Sequence, residues 1–256
     1  MKFRVFVSTI ACALVSTSVF AQHAGDVEFG YDDLSAPSAF VIEASDFTTE
    51  GILYFESEME ELDPFNAGDF SSDEPGFTAN PGEGLLVNPS DQIFLNALDA
   101  STISSFGVGY VNYYNPTTDA LEVFGRIGIY DNSAATSDLI LDGGSIVSGD
   151  NPGFIGLGDS GGDVHDHLIV DLLDDATSPF GAYGIMFQLQ SDFATADGNM
   201  DLSSDPFWIV WNHGMSESDF DSRALPRFGV SSVPEPGSIG ILAFGIGVVM
   251  LRRRRS

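Results

Sequence analysis

Cysteine and lysine are almost missing. The single cysteine is Cys12 and the single lysine is Lys2, both within the first 21 residues. Residues 22–232 therefore hold no thiol, which excludes disulfides, thiolate metal ligands and a cysteine nucleophile from that part. Their basic side chains are Arg126, Arg223 and Arg227, set against nearly all of the chain's 38 acidic residues. Phosphate binding needs a basic face, so nucleic acid is excluded as a direct partner. An acidic surface suits divalent cations and a salty exterior. Histidine is scarce too: His23, His165, His167 and His213 are all there is. No HExxH, P-loop, dinucleotide-binding glycine pattern or nucleophile elbow is found, which points away from an enzyme. The remaining catalytic form is a metallohydrolase with an open coordination position and a carboxylate base.

Long apolar runs are confined to the two ends. Met1 to Ala21 reads as a secretory signal peptide: Lys2 and Arg4 form its positive start, Val5 to Val15 its apolar run, and Val19-Phe20-Ala21 its cleavage positions. Cleavage after Ala21 would leave Gln22-His23 at the new N-terminus. At the other end, Val233-Pro234-Glu235-Pro236-Gly237-Ser238 precedes the apolar run Ile239 to Leu251 and then Arg252-Arg253-Arg254-Arg255-Ser256. Residues 233–256 read as a sorting tail with a single-pass helix over 238–251. Its arginines should stay cytoplasmic and leave the domain outside.

Between the ends, 22–232 reads as one exported acidic domain. The whole chain is 43% hydrophobic and 12% aromatic, enough for a core, so global disorder is excluded. Short strand patterns recur between Gly, Pro, Asn and Asp punctuation. They fall at Val27–Tyr31, Ala39–Ala44, Gly51–Ser57, Gln92–Leu98, Gly107–Tyr114, Leu121–Tyr130 and Ser145–Ser148. Val164–Leu173, Phe180–Gln190 and Pro206–Asn212 follow. This predicts an all-β fold, an antiparallel sandwich of jelly-roll type. One short helix is expected near the C-terminus, over Glu217–Leu225, with Ser216 as N-cap, Asp219 as its partner and Pro226 as its limit. Glu56 to Gly84, acidic and with three prolines, is expected to be a long surface loop.

Three stretches offer chemistry. On a strand, residues two apart share a face, so His165 and His167 should project side by side and be able to close on one metal ion. His213 sits at a predicted strand-to-helix corner, where site residues often lie. Asp197, Asn199 and Asp201 alternate like the start of a calcium loop, without its usual glycine and closing glutamate. Tyr110, Tyr113, Tyr114, Trp208 and Trp211 are candidate stacking groups for a glycan, with core packing as the plainer alternative.

The tail closely resembles the PEP-CTERM signal of Gram-negative-type bacteria, carried by Pro234-Glu235-Pro236, the apolar run and Arg252 to Arg255. That resemblance implies an exosortase partner, a transient stay in the inner membrane, and release to the cell surface or an exopolysaccharide-rich extracellular matrix. The middle resembles PEP-CTERM surface proteins repressed by the zinc-uptake regulator. The carriers are His23-Ala24-Gly25-Asp26-Val27-Glu28, Glu74-Pro75-Gly76-Phe77, His165-Asp166-His167 and Ser204 to Glu217. This resemblance implies a surface role under zinc limitation, with His23, His165, His167 and His213 as ligands; a shell of those four imidazoles, or three of them with Asp163 or Asp166, would suit zinc or a similar divalent ion. The competing expectation is a structural or glycan-binding matrix protein without a metal site.

Overall fold

The computed structural model describes residues 26–32, 40–43, 47–61, 70–79, 85–131, 139–151, 153–173, 179–193 and 202–230. The signal peptide, His23, the Asp197–Asp201 stretch and the sorting tail lie outside the described residues. In chain order the strands are β1 (Val27–Tyr31), β2 (Phe40–Glu43), β3 (Leu53–Glu58), β4 (Glu60–Glu61), β5 (Phe70–Ser72) and β6 (Phe77–Ala79). Then come β7 (Gln92–Leu98), β8 (Asn112–Asn115), β9 (Ala120–Val123), β10 (Arg126–Asp131), β11 (Leu139–Asp142) and β12 (Ser145–Ser148). The last are β13 (Gly153–Leu157), β14 (Val164–Asp166), β15 (Leu168–Leu172), β16 (Gly181–Ser191), β17 (Leu202–Ser203) and β18 (Phe207–His213).

The fold is all-β, as the punctuation of the sequence predicts. A four-stranded sheet runs β14-β6-β1-β2, and a six-stranded sheet runs β12-β11-β10-β15-β5-β4. The largest sheet runs β13-β7-β16-β18-β3, with β8 and β17 attached along β16 and β9 attached to β8. Pairing is mostly antiparallel, but β1 with β6 and β18 with β3 are parallel. Both are pairings between strands distant in sequence, which no hairpin turn constrains to run antiparallel.

β16 and β18 form the spine, paired from Gly181/His213 to Phe187/Phe207. Each is apolar on both faces because each face has its own cover. Tyr183, Ile185, Phe187 and Leu189 with Phe207, Ile209 and Trp211 face the main core between sheets. Ala182, Met186, Trp208 and Val210 face a second core closed by Phe220, Ala224, Leu225 and Phe228. Those four residues come from the C-terminal helical segment. It starts where expected: Ser216 Oγ accepts from the Asp219 amide at 3.2 Å and donates to Asp219 Oδ2 at 3.2 Å. It does not end at Pro226. A single α turn, α1 (Glu217–Asp219), passes into a π turn and then a 3₁₀ turn over Leu225–Phe228. Pro226 stands in the first turn of that last piece, where its missing N–H is harmless. Gly229, at φ 86°, ends the segment in the left-handed region.

Elsewhere the strand pattern needs correction. The predicted loop over Glu56–Gly84 contains β4, β5 and β6: β4 pairs with its neighbour β5, while β5 and β6 also pair with segments far away in sequence. β11 and β13 were not marked by alternation. The run Leu121–Tyr130 is two strands, broken at Phe124-Gly125, where Gly125 takes φ +100° against the Tyr183 ring. The run Val164–Leu173 is likewise broken, at His167: β14 belongs to the four-stranded sheet and β15 to the six-stranded one.

Candidate metal centre

That break creates the site. Two segments travel together from one sheet to the other. One carries β5 then β6, the other β14 then β15. They pair at Ser72/Val170 in the six-stranded sheet and at Phe77/Asp166 in the four-stranded sheet. The first segment takes five steps between those points and the second takes four. One extra residue on one side is the count of a β-bulge, which bends a strand and lets it switch sheets. Residues 73–76 and His167 lie at the bend. Beside them β1 begins, with the Val27 amide donating to the Gly76 carbonyl at 2.7 Å.

Asp26, His165 and His167 converge here, one ligand atom from each lying within 4.8 Å of the others. The two Nε2 atoms are 3.1 Å apart, and His165 Nε2 is 3.6 Å from Asp26 Oδ2. Two nitrogens bound tetrahedrally to zinc at 2.0–2.1 Å are about 3.3 Å apart. The imidazoles therefore need to move by only a few tenths of an ångström to share one ion. His165 is exposed, its side chain 60% accessible, so the trio opens to solvent on that side.

His167 is held for the task. Its Nδ1 lies 2.9 Å from the Asp73 carbonyl oxygen. A carbonyl only accepts, so Nδ1 carries the proton and Nε2 presents its lone pair toward His165 and Asp26. The same hydrogen bond raises the His167 pKa against the opposing effect of burial, helped by the charges of Asp26, Glu74 and Asp73. The negative field that favours a proton also favours a dication. Gly76 keeps the floor open. A Cβ there would lie 2.7 Å from Asp26 Oδ1 and 2.7 Å from His167 Cε1. The 73–76 turn is itself anchored, because the Glu74 carbonyl accepts from Trp211 Nε1 at 3.0 Å and from Ser72 Oγ at 3.0 Å.

The histidine pair thus converges as expected, though not by strand alternation, since β14 stops at Asp166. The predicted carboxylate partners are replaced. The Asp166 carboxylate accepts from the His167 amide at 2.8 Å, and Asp163 sits in a turn capped by Asp159. Asp26, the carboxylate that does reach the pair, had no local signal beyond standing at the start of β1.

His213 is not brought into this group. It is 1% exposed, with the Phe70 ring edge-on at 4.4 Å, Phe180 at 5.3 Å and Tyr183 at 6.0 Å. Its Nδ1 finds no partner among the described residues, and burial lowers its pKa. The aromatic candidates are also spent elsewhere: Tyr113, Tyr114, Trp208 and Trp211 are all buried, and Tyr110 packs against the core. Core packing took them because β8, β16 and β18 lie inside the largest sheet.

Comparison with known proteins bears on the tail. Residues 232–255 match the PEP-CTERM protein-sorting motif. The chain carries an exosortase sorting signal. It is an exported protein whose precursor passes the membrane and is processed by an exosortase. Among the described residues, no helix is long and apolar enough to cross a membrane. No curated protein matches the sequence. One solved structure, that of CfaE, the adhesive subunit of CFA/I fimbria of enterotoxigenic Escherichia coli, is similar at 8% identity with a TM-score of 0.24. The match covers 74% of this chain and 49% of that one, so the chain spans about half its length. So faint a likeness carries no argument.

Proposed function

We propose that the chain is a metal-binding protein of the cell surface or extracellular matrix, holding one divalent ion on Asp26, His165 and His167. The observation that carries this is the 3.1 Å approach of two Nε2 atoms, one of them oriented by a carbonyl, beside a carboxylate. Two imidazoles and a carboxylate suit zinc, with copper(II) as the competitor that the usual affinity order favours. Three protein ligands leave one position of a tetrahedral ion unfilled. His23 lies three residues before Asp26, a span of about 10 Å when extended, so it is within reach of that position.

In this reading the exosortase releases the domain from an inner-membrane stage to the outside of a Gram-negative-type cell. There it meets the exopolysaccharide and takes up zinc when the metal is scarce. It is a binding protein and not an enzyme. The test is metal analysis of the purified protein, followed by titration with zinc after chelation. One zinc per chain is expected, lost in the double variant His165→Ala, His167→Ala. No metal above background, and no heat or spectral change on titration, would remove the proposal.

A further inference from the structure

We infer that the ion acts as a staple across β6, so that its occupancy decides whether the corner between the two smaller sheets stays closed. This rests on the metal-binding reading above. The four-stranded sheet runs β14-β6-β1, so β6 lies between the strands that supply ligands. His165 is on β14, Asp26 leads into β1, and an ion held by both spans the start of β6. Gly76 stands at that start, and only a residue without a side chain leaves the span open.

β1 is held on its other side by β2 over four residues, β15 by β10 over five, and the 73–76 turn by the Trp211 bond to the Glu74 carbonyl, but the ladders that close the corner itself are short. β1 meets β6 only at Val27/Phe77 and Glu28/Thr78. β14 meets β6 over three residues, and β15 meets β5 only at Val170/Ser72 and Asp171/Ser71. By contrast, β16 and β18 pair without a break over seven residues. Short ladders open locally at lower free energy than long ones. When the corner opens, Val27, Phe77, Val164 and Leu168, all buried, lose their cover. Residues 22–232 hold no cysteine, so no disulfide can tie these segments. An ion joining residues 26, 165 and 167 supplies a removable cross-link in its place. A metal-free molecule on the cell surface would then be selectively open at this corner, which makes metal scarcity readable by proteases.

The test is amide hydrogen exchange, read by mass spectrometry on the purified protein with zinc ion alone or with chelator. Peptides covering 26–32, 70–79 and 163–172 should exchange at least about ten-fold more slowly with zinc, while 181–191 and 207–213 stay unchanged. Chymotrypsin should cut after Phe77 and Leu168 faster in chelator by a similar factor. Asp26→Asn, close in shape to the native residue, should abolish both effects. If zinc binds in the titration but the corner peptides do not slow, or slow no more than those of β16 and β18, the staple is wrong and the metal site stands. If zinc does not bind at all, both fall together.

Discussion

Two histidine environments in this protein are opposites. His165 and His167 sit at an open bend among carboxylates, with their Nε2 atoms facing each other and one Nδ1 fixed by a carbonyl. His213 sits sealed among Phe70, Phe180 and Tyr183, its Nδ1 without a partner among the described residues. All three lie at or near strand ends. The difference is what surrounds the ring. The Asp73 carbonyl, with the nearby carboxylates, raises the affinity of His167 for a proton, and the same negative field favours a cation, whereas desolvation makes any charge on His213 unfavourable.

The largest effect that tests this contrast is on metal binding. His165→Ala with His167→Ala should weaken zinc binding by at least about 1,000-fold, since two ligands are gone. His213→Leu should leave stoichiometry and affinity unchanged in the same titration. Equal losses in both would break the comparison. Gly76→Ala comes next: its methyl group pushes Asp26 and His167 apart, and affinity should fall on the order of 10–100-fold.

Acid sharpens the contrast through signs. The His213 pKa is lowered by burial, so the unfolded chain takes the proton more readily than the folded one. Its stability is full above the unfolded value of about 6.5 and falls as pH drops below it. The His167 pKa is raised, so its contribution is full below about 6.5 and is lost as pH rises through the folded value. In chelator, denaturant midpoints measured between pH 7.5 and 5 should therefore drop more for the native protein than for His213→Leu. The advantage of the native protein over His167→Ala should shrink as pH rises across the same range. The smallest effect is expected from Trp211→Phe, which removes the anchor of the 73–76 turn. It should cost about 1–2 kcal/mol in chemical denaturation and weaken zinc binding only slightly.

Much of the fold is legible in the sequence. β1 and β7 coincide with their predicted spans, and the Ser216 cap with its Asp219 partner is where the pattern put it. These are local features, set by alternation and by turn chemistry within a few residues. The hidden parts are non-local. β5 and β6 hide in an acidic, proline-bearing stretch because their reason for being strands is β15, β1 and β14, about 50 to 100 residues away in sequence. The apolar run through 164–173 gives no hint that it changes sheets at His167. Asp26 joins the histidines through a parallel pairing that no short-range pattern encodes.

The sequence by itself determined export, the sorting tail, the all-β character and the identity of a histidine pair worth watching. Each of these is written in contiguous residues whose composition or period carries the physics. Only the tertiary structure decided which carboxylate meets that pair, that His213 is enclosed instead, and that the pair stands at a bend between sheets. Those outcomes depend on register between distant strands, where a shift of one residue turns every side chain to the other face.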